Sequence, residues 1–136
     1  RSRYHTRLNM RHGGSEEPPE RFVLVVDDEE PVRQLVQEVL EDAGYRVAAA
    51  ARVSEALRYL DDPALDAIVS DIRMPDESGL DLLAAARERR PGLPVVLMTG
   101  AAAAAERAQA AAEGVPVLEK PFTFAELEAA VAAALR

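Results

Sequence analysis

Short apolar runs alternate along the chain with stretches whose apolar residues recur at three- and four-residue spacing. Residues 21–26 form a short run that is apolar after Arg21 and rich in β-branched valine, the signature of a buried strand. Val32, Leu35, Val36, Val39 and Leu40 then follow the i, i+3, i+4, i+7, i+8 spacing of one inward helical face. Pro31 suits the first turn of that helix, and Gly44 suits the residue just past its end. Residues 45–50 read as a second strand. Residues 53–60 read as a second helix with Val53, Ala56, Leu57 and Leu60 inward. Residues 66–70 predict strand three, and Ser78 with Asp81 opens helix three as a capping box running to about Arg90. Residues 94–98 predict strand four, 101–113 a helix of almost pure alanine, and 115–118 strand five. Thr123 with Glu126 is a second capping box, and Phe124, Leu127, Val131 and Leu135 mark the inner face of helix five.

Strands that alternate with helices imply a parallel sheet covered on both faces. Short connections and right-handed crossovers favour a doubly wound α/β domain. Five strands and five helices suit the flavodoxin-like order 2-1-3-4-5. Residues 1–20 lack apolar periodicity and carry Gly13-Gly14 and Pro18-Pro19 as breakers. They are expected to be a flexible tail, a linker or foreign leading residues, since the sequence opens on Arg1 rather than Met. Residues 21–136 then form the folded domain.

Hydrophobic residues make up 49% of the 136, which supports a single core. No apolar run approaches the roughly 18–20 residues of a membrane span, and no secretory signal opens the chain. With no cysteine there is no disulfide framework and no thiolate metal site, which fits a cytoplasmic setting. Both histidines, His5 and His12, lie in the leading segment, so the domain has none to serve as base, nucleophile or zinc ligand. The net charge is −8, and the leading segment is slightly basic, which leaves −9 on residues 21–136. That balance argues against direct nucleic-acid binding, which rests on Lys and Arg neutralising phosphates.

In a doubly wound sheet, ligands sit beyond the C-terminal ends of the strands where the strand order reverses. Strand one ends in Asp27 and Asp28, strand three in Asp71, strand four in Thr99, and strand five leads to Lys120 and Pro121. Asp at a strand end also commonly caps a helix or begins a turn, so the conjunction carries more than any member. Carboxylates gathered there repel unless a cation joins them, and oxygen-only ligands select Mg²⁺, with Mn²⁺ as the alternative. A carboxylate is a competent nucleophile for phosphoryl transfer. Thr99 can donate to one phosphoryl oxygen and Lys120 can pair with another. Lys120 is the only lysine in the chain; every other basic side chain outside the two histidines is Arg.

Four segments carry a family resemblance: Val25-Val26-Asp27-Asp28-Glu29-Glu30-Pro31, Ser70-Asp71-Ile72-Arg73-Met74-Pro75-Asp76-Glu77-Ser78-Gly79, Leu97-Met98-Thr99-Gly100 and Leu118-Glu119-Lys120-Pro121-Phe122. In this order and spacing they resemble the response-regulator receiver domain over about residues 21–136. The resemblance implies that Asp71 accepts a phosphoryl group from a histidine kinase or a phosphotransfer domain. It implies that Asp28, Asp71 and the backbone carbonyl of Arg73 ligate Mg²⁺, with Asp27 acting through water. It makes Thr99 the switch hydroxyl, gives Lys120 the phosphoryl group, and sets a cis peptide before Pro121. Such a protein is a signalling switch, not an enzyme in the ordinary sense. It stands alone or forms part of a hybrid sensor kinase, and no membrane partner is expected.

Receivers commonly carry Tyr or Phe three residues before the Lys, and here that position is Val117. The usual aromatic half of the output switch is therefore missing, while phosphorylation is untouched. Arg73 either leans over the phosphate or points to solvent. One rival is a Mg²⁺-dependent phosphohydrolase with an Asp nucleophile; it wants Asp-x-Asp after strand one, where this chain has adjacent Asp27-Asp28. A second is a pseudo-receiver that only binds a partner, against which the intact acidic residues, Thr99 and Lys120 argue.

Overall fold

The alternation of apolar runs and amphipathic stretches becomes, in a computed structural model describing residues 20–75, 77–100 and 104–136, five strands and five helices. In chain order these are β1 Phe22–Val26, α1 Glu30–Asp42, β2 Arg46–Ala50, α2 Val53–Leu57 and β3 Leu65–Asp71. They continue with α3 Gly79–Arg89, β4 Val95–Thr99, α4 Ala104–Ala112, β5 Val117–Glu119 and α5 Phe124–Ala134. The strands pair in parallel in the order β2-β1-β3-β4-β5, the predicted topology. The predicted tail and the start predicted for helix four at residue 101 fall largely outside the described residues.

Side-chain alternation splits the core into two layers. Phe22, Leu24 and Val26 of β1, Ile68 and Ile72 of β3 and its connection, and Val95 and Leu97 of β4 pack toward α2 and α3. Val23, Val25, Val69, Val96 and Met98 pack on the opposite face with Val36, Val39 and Leu40 of α1 and Leu127 and Val131 of α5. The central strands are buried on both faces, which is why β1, β3 and β4 are almost continuously apolar.

Three details depart from the sequence reading. Leu35, expected on the inner face of α1, is 45% exposed. At about 100° per residue it lies roughly a quarter turn from the centre of the Val32–Val36–Val39–Leu40 stripe. Phe124 is 55% exposed: it stands in the first turn of α5, while the buried anchors Leu127 and Val131 lie further along. The predicted second helix is an α-helix only over Val53–Leu57 and tightens into a 3₁₀ turn over Arg58–Asp61. Arg90 ties off carbonyls of that region, donating to Leu60, Asp62 and Leu65 at 2.9–3.3 Å.

Both predicted capping boxes are present. Ser78 accepts from Leu80 while Asp81 accepts from the Ser78 N–H, and Thr123 and Glu126 do the same for α5. The first box has a positional consequence. Gly79 donates to the Ile72 carbonyl at 2.7 Å, and a Cβ there would overlap the Asp71 carbonyl oxygen. Only glycine lets α3 begin this close to the end of β3.

Candidate functional site

At the C-terminal rim of the sheet β1 delivers Asp27, β3 delivers Asp71 and β4 delivers Thr99, all three buried, with Asp28 exposed beside them. The carboxylates of Asp27, Asp28 and Asp71 each place an oxygen within 4.8 Å of the others. Lys120 reaches in from the end of β5, and the Lys120–Pro121 peptide is cis, as expected. Its Nζ donates to Asp27 Oδ2 at 3.2 Å and to Asp71 Oδ2 at 3.3 Å, with Glu29 Oε1 at 3.8 Å. The topology thus brings Asp27, Asp28, Asp71, Thr99 and Lys120 to one place.

The electrostatics of this cluster are unbalanced. Burial raises the Asp71 carboxyl above its ordinary range, and the like charge of Asp27 adds to that. Lys120 and the backbone N–H of Arg73 pull the other way without cancelling it. Burial would lower the Lys120 ammonium, but Asp27 and Asp71 outweigh it and hold the group above its usual value, firmly charged. Three carboxylates against one ammonium leave two negative charges uncompensated when all are ionised. Oxygen donors with that deficit suit a hard divalent cation. The Thr99 hydroxyl oxygen is buried with no hydrogen-bond partner among the described residues. An orphaned buried hydroxyl beside a charged cluster is costly, and it is available to an incoming acceptor.

A family model described as the response regulator receiver domain matches residues 23–132. The chain belongs to this family. Response regulator Rre1 of Synechocystis is 42% identical over 113 residues, covering 80% of this chain and 49% of that protein. The DNA-binding transcriptional regulator NtrC of Azospirillum brasilense is 33% identical over 114 residues, covering 83% of this chain and 24% of that one. The chain therefore spans about half or a quarter of the length of these curated relatives. A CheY-like response regulator receiver domain from Methanospirillum hungatei superposes with a TM-score of 0.81 at 27% identity, covering 86% of this chain and 94% of that one. The protein is thus a receiver of the two-component kind, with the flavodoxin-like fold expected of it.

Two further residues shape the receiver's acidic rim and were not singled out from the sequence. The Glu29 N–H donates to Asp27 Oδ1 at 2.9 Å, and Arg33 Nη1 donates to the Asp27 carbonyl at 2.9 Å. Arg33 gives no signal in a sequence whose basic residues are nearly all Arg. The Arg73 side chain is largely solvent-exposed and pairs with Glu106 of α4 at 3.2 Å. Val117 is a partly buried core valine, paired in register with Leu97.

Proposed function

We propose that this receiver is a phosphoacceptor switch in which Asp71 takes a phosphoryl group from the phosphohistidine of a histidine kinase or a phosphotransfer domain. The supporting observation is the meeting of a buried Asp71 carboxylate, the Lys120 ammonium and the unpartnered Thr99 hydroxyl at one rim. An Asp71 carboxylate oxygen attacks phosphorus; the P–N bond breaks, its electron pair returns to the imidazole, and an acyl phosphate forms. Lys120, already charged and within reach of Asp71, pairs with a phosphoryl oxygen. Thr99 donates its hydroxyl to another and so acquires the partner it lacks.

Asp28, Asp71 and the Arg73 carbonyl would hold Mg²⁺, with Asp27 assisting through water and Mn²⁺ as a substitute. The ion, when bound, offsets the excess carboxylate charge and stabilises negative charge on the phosphoryl oxygens. The −9 on residues 21–136 supports a domain that does not itself hold nucleic acid, whatever the DNA-binding relatives do with the rest of their length. No helix among the described residues is long and apolar enough to cross a membrane. A phosphoryl donor of the histidine-kinase kind sets the proposed location in the cytoplasm. Residues 1–20 are proposed as a tail or linker to it.

Incubation with a radiolabelled phosphohistidine protein, with Mg²⁺ or with a chelator, tests the proposal. Label should move to this chain only with Mg²⁺ and should be released by hydroxylamine. A protein that takes no label from this donor or from a small phosphodonor would be a binding module of the pseudo-receiver kind.

A further inference from the structure

Asp27 is fully buried and every one of its polar atoms is engaged. Its N–H donates to Ala50 O at 3.1 Å, and its Oδ1 accepts from the Glu29 N–H at 2.9 Å. Its Oδ2 accepts from Lys120 Nζ at 3.2 Å, and its carbonyl oxygen accepts from Arg33 Nη1 at 2.9 Å. Asp28 is the opposite case. It is exposed, and among the described residues no hydrogen bond or ion pair holds its carboxylate, yet that carboxylate lies within 4.8 Å of those of Asp27 and Asp71. What places it is the peptide from which it hangs. The Asp27 carbonyl belongs to that rigid, planar peptide, so a donor on the carbonyl fixes the plane and the direction in which Asp28 leaves it.

We infer that Arg33 is a positioning residue for the acidic site, holding the Asp27–Asp28 peptide so that the Asp28 carboxylate stays in reach of Asp71. Arg33 follows Glu29 by four residues, and its N–H makes the opening α1 bond to the Glu29 carbonyl at 2.9 Å. The side chain therefore springs from a rigid helix and folds back over the loop. A guanidinium on a carbonyl makes a charge-assisted hydrogen bond, stronger and more directional than a neutral one. The inference rests on the proposal that these carboxylates hold Mg²⁺, and it reaches a residue outside the ligand set.

Charge alone predicts the reverse of what positioning predicts. A cation beside the carboxylates repels Mg²⁺, so a neutral residue at 33 would tighten binding if Arg33 acted only through its field. If it positions Asp28, the neutral residue weakens binding. Partners that orient metal ligands typically contribute about 10–100-fold in affinity. Isothermal titration of the metal-free chain with MgCl₂ separates the two readings, using the parent, Arg33→Gln and Arg33→Lys. The expected result is about tenfold weaker binding in Arg33→Gln and an intermediate affinity in Arg33→Lys, which keeps the charge but loses the planar fork. Melting of the metal-free variants should stay close to the parent. Parental or tighter binding in Arg33→Gln overturns the inference while leaving the metal site standing. A parent that binds no Mg²⁺ removes the site itself and the inference with it. Should Arg33→Gln fail to fold, Arg33→Lys decides: weaker than parent supports positioning, equal to parent overturns it.

Discussion

Thr99, 2% exposed, ends β4 with a buried hydroxyl that is hydrogen-bonded to nothing among the described residues. A buried, unsatisfied polar group costs about 1–3 kcal/mol, so Thr99→Val should stabilise the unphosphorylated fold by about 1 kcal/mol in urea denaturation. The same variant should lose most of the stabilisation that beryllofluoride, a phosphoryl mimic, gives the parent. A destabilised Thr99→Val would mean that the hydroxyl already has a partner. Gly79 makes a second prediction at this scale. Gly79→Ala presses a methyl onto the Asp71 carbonyl and should cost about 1–3 kcal/mol, whereas Gly92→Ala, with open space around it, should cost far less. Equal denaturation midpoints for the two variants would contradict the close approach of α3 to β3. The chemistry-bearing residues were legible because Asp27, Asp28, Asp71 and Thr99 interrupt apolar runs at their ends, and because Lys120 is the one lysine. Arg33 and the tight contact at Gly79 were not, since both depend on how the loop folds back and neither residue type is unusual where it stands.

Among the five helices of the described residues, α4 buries the fewest side chains. Its one buried residue is Ala110, so it lacks the Leu-sized contacts worth about 2 kcal/mol or more each. Alanine keeps it helical nonetheless. Ion pairs fasten it instead: Arg73 to Glu106, Arg107 to Glu119, and Arg87 of α3 to Glu113 just past its end. Exposed pairs contribute about 0.2–1 kcal/mol each and weaken with salt. Two of them lead to the rim, since Arg73 follows Asp71 by two residues and Glu119 precedes Lys120. On the proposed function, and with Val117 in place of a ring, these links would carry events at Asp71 to α4. Amide exchange in α4 should therefore quicken at high ionic strength, and should differ between free and beryllofluoride-bound protein. Exchange in α4 that is identical in both states would refute this account of output. The helices themselves were legible from periodicity and caps. Leu35 and Phe124 were misplaced because spacing alone does not show where the neighbouring core ends, and the 3₁₀ end of the second helix depends on Arg90 from another element.

The whole molecule carries −9 on residues 21–136, with its most buried carboxylates concentrated at one pole of the sheet. Repulsion within that cluster is a standing cost, and a cation that binds only the folded state relieves it. Millimolar Mg²⁺ should raise the melting midpoint of the parent, and Asp28→Ala should abolish most of that rise. An unchanged midpoint in the parent would count against a metal site. The fold order was legible at this scale because buried parallel strands must be apolar throughout, and five such runs joined by amphipathic helices leave few topologies. Which partner reads the switch is written on no single strand end, so it did not follow from the pattern. The central claim, that Asp71 is the acceptor, is reached most directly by intact-mass spectrometry of the parent and Asp71→Asn after incubation with acetyl phosphate. The account predicts one added phosphoryl group on the parent, dependent on Mg²⁺ and removed by hydroxylamine, and none on Asp71→Asn. Undiminished, hydroxylamine-sensitive phosphorylation of Asp71→Asn would contradict it.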